Sequence, residues 1–149
     1  MESIILRTVV RIVLPFIQMY GLYVILNGHI SPGGGFPGGA ILGTGMILYA
    51  VTFGLKEGIR KISPDVFTLM ESGGALWYGV LGLGGILLGA NYLSNKAAGI
   101  PLGEPGTLFS SGLVFLITIG IGIKVASTFI TLFYNLGEGK TRVGNFDKP

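Results

Sequence analysis

Gly28-His29-Ile30-Ser31-Pro32-Gly33-Gly34-Gly35-Phe36-Pro37-Gly38-Gly39, or GHISPGGGFPGG, holds the only histidine of the chain, two of its seven prolines and six of its 27 glycines. Glycine and proline at this density interrupt regular structure. What flanks them is apolar: residues 3–27, SIILRTVVRIVLPFIQMYGLYVILN, and residues 38–55, GGAILGTGMILYAVTFGL. Each is near the length a helix needs to cross a bilayer. The stretch therefore reads as a turn between two membrane helices, and the remaining segments are read from there.

Composition agrees with that reading. Half of the 149 residues are hydrophobic and 11% are charged, with a mean hydropathy of +0.71. A surface in water needs polar residues, whereas a surface in lipid does not. The absence of cysteine excludes a disulfide framework, a thiolate-held metal, an iron–sulfur cluster and a thiol nucleophile. The net charge of +3 would suit nucleic acid, but the basic residues are spread over separate loops with no basic face beside aromatic rings, so no nucleic-acid partner is expected. Arg7 and Arg11 interrupt the first apolar run and no small-residue cleavage site follows it, so it reads as a span and not as a cleaved signal peptide.

In the first span Arg7 and Arg11 share a helix face, and Pro15 is expected to kink the helix. The second span carries Gly39 and Gly43 at small-xxx-small spacing, with Gly38 and Gly45 close by, so one face is nearly bare backbone. Residues 56–71 read as a polar loop, broken at Ser63-Pro64-Asp65, with room for a short surface helix. A third span is expected at 72–94, with Gly85 and Gly89 repeating the GxxxG spacing and Trp77 and Tyr78 marking an interface. Residues 95–107 read as a loop, 108–135 as a fourth span and 136–149 as a tail. Glu71 and Glu104 fall near span ends on opposite sides, where each reads as an interfacial residue rather than an ion ligand, leaving no acidic residue well inside a span.

Basic residues then set the orientation. Arg7, Arg11, Lys56, Arg60, Lys61, Lys140, Arg142 and Lys148 lie on one side of the four spans, and only Lys96 lies in the opposite loops. The positive-inside tendency places both termini in the cytoplasm. The expected architecture is an all-α membrane protein of four transmembrane helices, one integral domain over residues 1–149.

Three motifs bear on chemistry. Gly33-x-Gly35-x-x-Gly38 matches the dinucleotide-binding string, but that string works between a strand and a helix, with an acidic residue about 20 positions on, and none of that context exists here. Gly139-Lys140-Thr141 resembles the end of a phosphate-binding loop, but the first glycine of that loop is replaced by Tyr134. His29 has no Cys, Asp or Glu near it in sequence to complete a metal site, and pairing with Ser31 lacks an orienting acid. Neither a metal nor a cofactor is expected. Two readings of His29 stay open: a histidine that holds the glycine-rich turn, and one that exchanges protons near neutral pH.

Lys124 is the one charge deep in a span. Counted inward from Asn135 it lies roughly 16 Å along a helix, near the midplane of a hydrocarbon core about 30 Å thick. Facing lipid it would cost several kcal/mol, so it faces protein or water. It either lines an ion path, paired with a carboxylate of another subunit, or snorkels from a packed interface. No nucleophile, base and acid occur together, so the chain is not expected to be an enzyme.

The pattern GHxSPGGGFxGG followed by a glycine-faced span strongly resembles the MrpB (MnhB) subunit of the Mrp-type, or Mnh, multisubunit sodium/proton antiporters, over roughly residues 5–135. A similar subunit occurs in membrane-bound hydrogenase complexes with an Mrp-like module, where the host complex is a redox enzyme. The resemblance maps the family motif onto Gly28, His29, Ser31, Pro32, Gly33, Gly34, Gly35, Phe36, Gly38 and Gly39. It implies a non-catalytic accessory subunit in a prokaryotic cell membrane, working among other antiporter subunits on Na+ and H+. Phe36 is expected to insert into a partner, and Gly39, Gly43, Gly85 and Gly89 to serve helix packing; Lys124 and His29 are the candidates for an ion path. The competing reading is a self-sufficient homo-oligomeric transporter or channel.

Overall fold

The glycine-proline turn separates two long helices in the computed structural model, which describes residues 2–30, 32–61, 63–88, 91–95, 103–104, 106 and 110–143. Among these residues the chain is all-helical: α1 (Glu2–Leu26), α2 (Gly35–Phe53), α3 (Leu55–Lys61), α4 (Pro64–Leu87) and α5 (Leu113–Val143). Three stretches are long and apolar enough to cross a membrane, Ile4–Leu26, Gly35–Phe53 and Leu113–Gly137. Helix α1 runs through Pro15.

α2 lies between α1 and α5, and α4 covers another side of α5. Glycine decides how closely α2 is held. A Cβ on Gly38 would fall 2.9 Å from the Gly21 carbonyl oxygen of α1, and one on Gly43 would fall 3.1 Å from the Ala126 carbonyl oxygen of α5. Gly35 and Gly39 meet Thr118 and Gly122 in the same way. The bare surface is thus two faces, one toward each neighbour, and such close approach of backbones is how helices gain packing energy in lipid. The order of these contacts makes α1 antiparallel to α2, α2 parallel to α5, and α4 antiparallel to α5. The start of α1, the end of α2, α3 and the later turns of α5 therefore share one end of the molecule. There the Arg7 and Arg11 guanidinium groups stand 5.9 and 5.3 Å from the Phe53 ring centre, and Ala50, Phe67, Ile130 and Tyr134 form a buried cluster.

The helix in the region of the third expected span has other bounds. Residues 72–87 are helical, but the helix starts at Pro64 and is followed by a turn at Leu88; Gly89 and Ala90 lie outside the described residues. The reason lies at Ser63-Pro64. Ser63 is the extended N-cap residue (φ −69°, ψ 151°) and Pro64 occupies the first turn, where its missing N–H is no loss and its fixed φ suits a helix. A proline read as a breaker is here a starter. Glycines and charges dilute α4, so its 24 residues do not join the three apolar stretches. Likewise, residues expected to form a tail continue α5 to Val143, since Gly137 and Gly139 each weaken a helix by only about 1 kcal/mol.

At the other end of the α4–α5 seam, Trp77 Nε1 donates to the Leu116 carbonyl at 3.1 Å. Trp77→Phe keeps the ring and removes the donor, so this bond between the two helices is lost. It is expected to lower stability by about 1 kcal/mol, seen as a small drop in the melting temperature of detergent-solubilised protein.

Candidate functional site

The turn is built from the end of α1. Asn27 N–H bonds the Tyr23 carbonyl at 2.9 Å and Ile30 N–H bonds the Asn27 carbonyl at 3.0 Å, closing one irregular turn around Gly28. Gly28 and Gly34 then approach so closely that a Cβ on Gly28 would fall 2.8 Å from the Gly34 nitrogen. Gly34 caps α2 with φ 131° and ψ −167°, a conformation that side chains oppose. Its carbonyl accepts from Gly38 N–H at 3.1 Å and starts the helix. Pro32 and Gly33 are exposed, and Ser31 lies outside the described residues.

Two aromatic contacts tie this turn and the first turn of α2 to α5. The His29 imidazole is half-buried and meets Phe115 edge-on, with centroids 5.8 Å apart. Phe36 meets Phe129 at 6.5 Å, yet is 62% exposed. Gly39 and Gly43 lie against α5, while Gly85 packs against the backbone of Asn91 and Leu93, in the chain just after its own helix; Gly89 lies outside the described residues.

Lys124 falls near the middle of Leu113–Gly137. Its side chain is exposed beside an open cleft of about 430 Å³, lined also by Gly74, Ala75, Tyr78 and Ile121. Gly74 leaves space for it, because a Cβ there would fall 2.8 Å from the Lys124 Cβ. Lys124 and His29 are not brought together: His29 packs at the level of Phe115, roughly 13 Å back along α5 at about 1.5 Å per residue.

Sequence reasoning placed Glu71 near a span end, as an interfacial residue rather than an ion ligand. It is not at a helix end but two turns into α4, half-buried, and its Oε1 accepts from Thr128 Oγ1 of α5 at 3.1 Å. The usable signal was Ser63-Pro64-Asp65 read as a helix start; that reading alone moves Glu71 inside. Glu104 is exposed. Among the described residues, no group of three or more His, Asp or Glu is placed to hold a metal ion.

Residues 5–131 match the family described as a domain related to the MnhB subunit of Na+/H+ antiporter. The chain is 30% identical over 134 residues to a Na+/H+ antiporter subunit of Bacillus subtilis, covering 85% of this chain and 92% of that one. It is 30% identical over 140 residues to a putative antiporter subunit of Staphylococcus haemolyticus, covering 94% and 98%. An uncharacterised protein of Methanocaldococcus jannaschii is also 30% identical, over 131 residues; there this chain spans 50% of the relative's length. Most of the chain, including the turn, the glycine faces and Lys124, lies inside the matched region, and the chain belongs to the MnhB family.

Proposed function

We propose that the chain is an accessory integral membrane subunit of a multisubunit Na+/H+ antiporter in a prokaryotic cell membrane, non-catalytic by itself. In this reading α4 is a fourth span beside the three apolar stretches, and both termini lie in the cytoplasm. The helix directions support it, because Arg7, Arg11 and the basic residues of α3 fall at one end of the molecule. The observation that carries the proposal is Phe36, a large ring left 62% exposed at the first turn of a helix whose backbone is fixed by glycine contacts. A rigidly presented aromatic fits a pocket of a neighbouring subunit. The self-sufficient transporter is disfavoured, since few ionisable groups lie along the spans.

Purification of the chain from its native membranes, with co-purifying subunits identified by mass, tests this directly. Antiporter-like partners are expected, and Phe36→Ala is expected to lower their recovery about ten-fold, the effect of losing a buried aromatic anchor of about 1.4 kcal/mol or more. Sodium-dependent proton flux from the chain alone in liposomes would overturn the accessory reading.

A further inference from the structure

Glu71 has no part in that reading, yet its depth in the membrane follows from its partner. Thr128 lies one helical turn beyond Lys124, which sits near the middle of Leu113–Gly137. One turn is about 5.4 Å, against a half-thickness of about 15 Å for the hydrocarbon core. A carboxyl bonded to Thr128 is therefore well inside the core, where ionisable groups are costly and tend to be functional.

The bond has a further property. Thr128 Oγ1 is 3.1 Å from Glu71 Oε1 and 2.9 Å from the Lys124 carbonyl oxygen. A hydroxyl has one proton to give and two lone pairs to receive. When Glu71 is ionised, Thr128 donates to it. When Glu71 is protonated, its O–H can donate to Thr128, which turns its own proton to the Lys124 carbonyl. Both charge states are satisfied without moving a heavy atom. The titratable groups on the packed helix are Lys124, one turn away, Tyr134, which packs on Phe67 with ring centroids 6.0 Å apart, and, in the last turns, Glu138, Lys140 and Arg142; on α4 itself Asp65 and Tyr78 lie about two turns to either side.

We propose that Glu71 is a proton-binding carboxyl inside the membrane, with Thr128 as its reversible hydrogen-bond partner. The proton comes from water and returns to it; no covalent bond other than the acid's O–H forms or breaks. The proposal rests on the membrane-spanning reading above. It differs from that reading in placing a titrating acid in this chain.

Dicyclohexylcarbodiimide, which reacts with protonated carboxyls in apolar surroundings, supplies the test on the purified complex, with adducts located by peptide mass. Between about pH 5 and about pH 9, modification of Glu71 is expected to fall several-fold, and to be absent in Glu71→Gln. Thr128→Val, which removes the hydroxyl that serves both charge states, is expected to change the labelling of Glu71 at least two-fold. A missing adduct, a flat pH profile, or unchanged labelling in Thr128→Val overturns the proposal. Subunit recovery from the same preparations separates the two readings. An intact complex with flat labelling overturns this one alone, and a titrating Glu71 without partner subunits overturns the assembly reading alone.

Discussion

Gly39→Leu is expected to reduce folded chain in the membrane by more than ten-fold. A Cβ at this position would fall 2.9 Å from the Val125 Cβ and 3.2 Å from the Ala126 nitrogen, and it would collide with the Gly122 carbonyl oxygen. Those neighbours include helix backbone, which cannot rotate aside as a side chain can, so α2 and α5 must separate. Overpacking of this kind costs about 1–3 kcal/mol where side chains can adjust, and more where they cannot. Separation also undoes the contacts on either side, at Gly35 and Gly43, because the three glycines follow one another at i, i+4 and i+8 on α2. Gly79→Leu is the matched control: nothing lies within 4 Å of a Cβ there, and leucine is the better helix former. Size-exclusion profiles of detergent extracts should show a sharp peak for Gly79→Leu and loss or aggregation for Gly39→Leu. Equal profiles would mean that the α2–α5 contact does not hold the fold.

The all-helical class and the turn between the first two helices were legible in the sequence, because apolar runs near membrane length and a cluster of glycine and proline are strong local signals. Glycine spacing showed that α2 had a bare surface. It could not show that Gly38 and Gly45 turn to α1 while Gly35, Gly39 and Gly43 turn to α5, since a glycine carries no side-chain pattern to mark its direction. The boundaries of α4 were misread because Ser63-Pro64 has two meanings, a stop for a preceding helix and a start for a following one. Both apply here, with α3 ending at Lys61 and α4 beginning at Pro64. That ambiguity also set the reading of Glu71: at the end of a polar loop it reads as an interfacial residue, whereas the same residue two turns into a helix must find a partner. The contact of His29 with Phe115 joins residues far apart in sequence and leaves no local trace.

Lys124→Met in the assembled complex is expected to lower coupled Na+/H+ exchange about ten-fold, equivalent to about 1.4 kcal/mol on the limiting step, with subunit recovery changed by less than two-fold. Methionine matches the length and apolar stem of lysine, so the packing beside Gly74 is retained and only the ammonium is lost. Near the middle of its span and exposed on this chain alone, that ammonium must meet water or a polar group of a neighbouring subunit once the complex forms. If it served only to satisfy such a neighbour, the loss would appear in assembly, because the partner group would be left unpaired in a dry interface. If it compensates a charge that appears during transport, assembly persists and turnover falls. Lys124→Arg, which keeps the charge, should then recover most of the exchange rate. A Met variant with full exchange would return Lys124 to a packing role. A Met variant that fails to assemble, and is rescued by arginine, would place the lysine in a contact with a neighbouring subunit and leave the proton path to Glu71 alone.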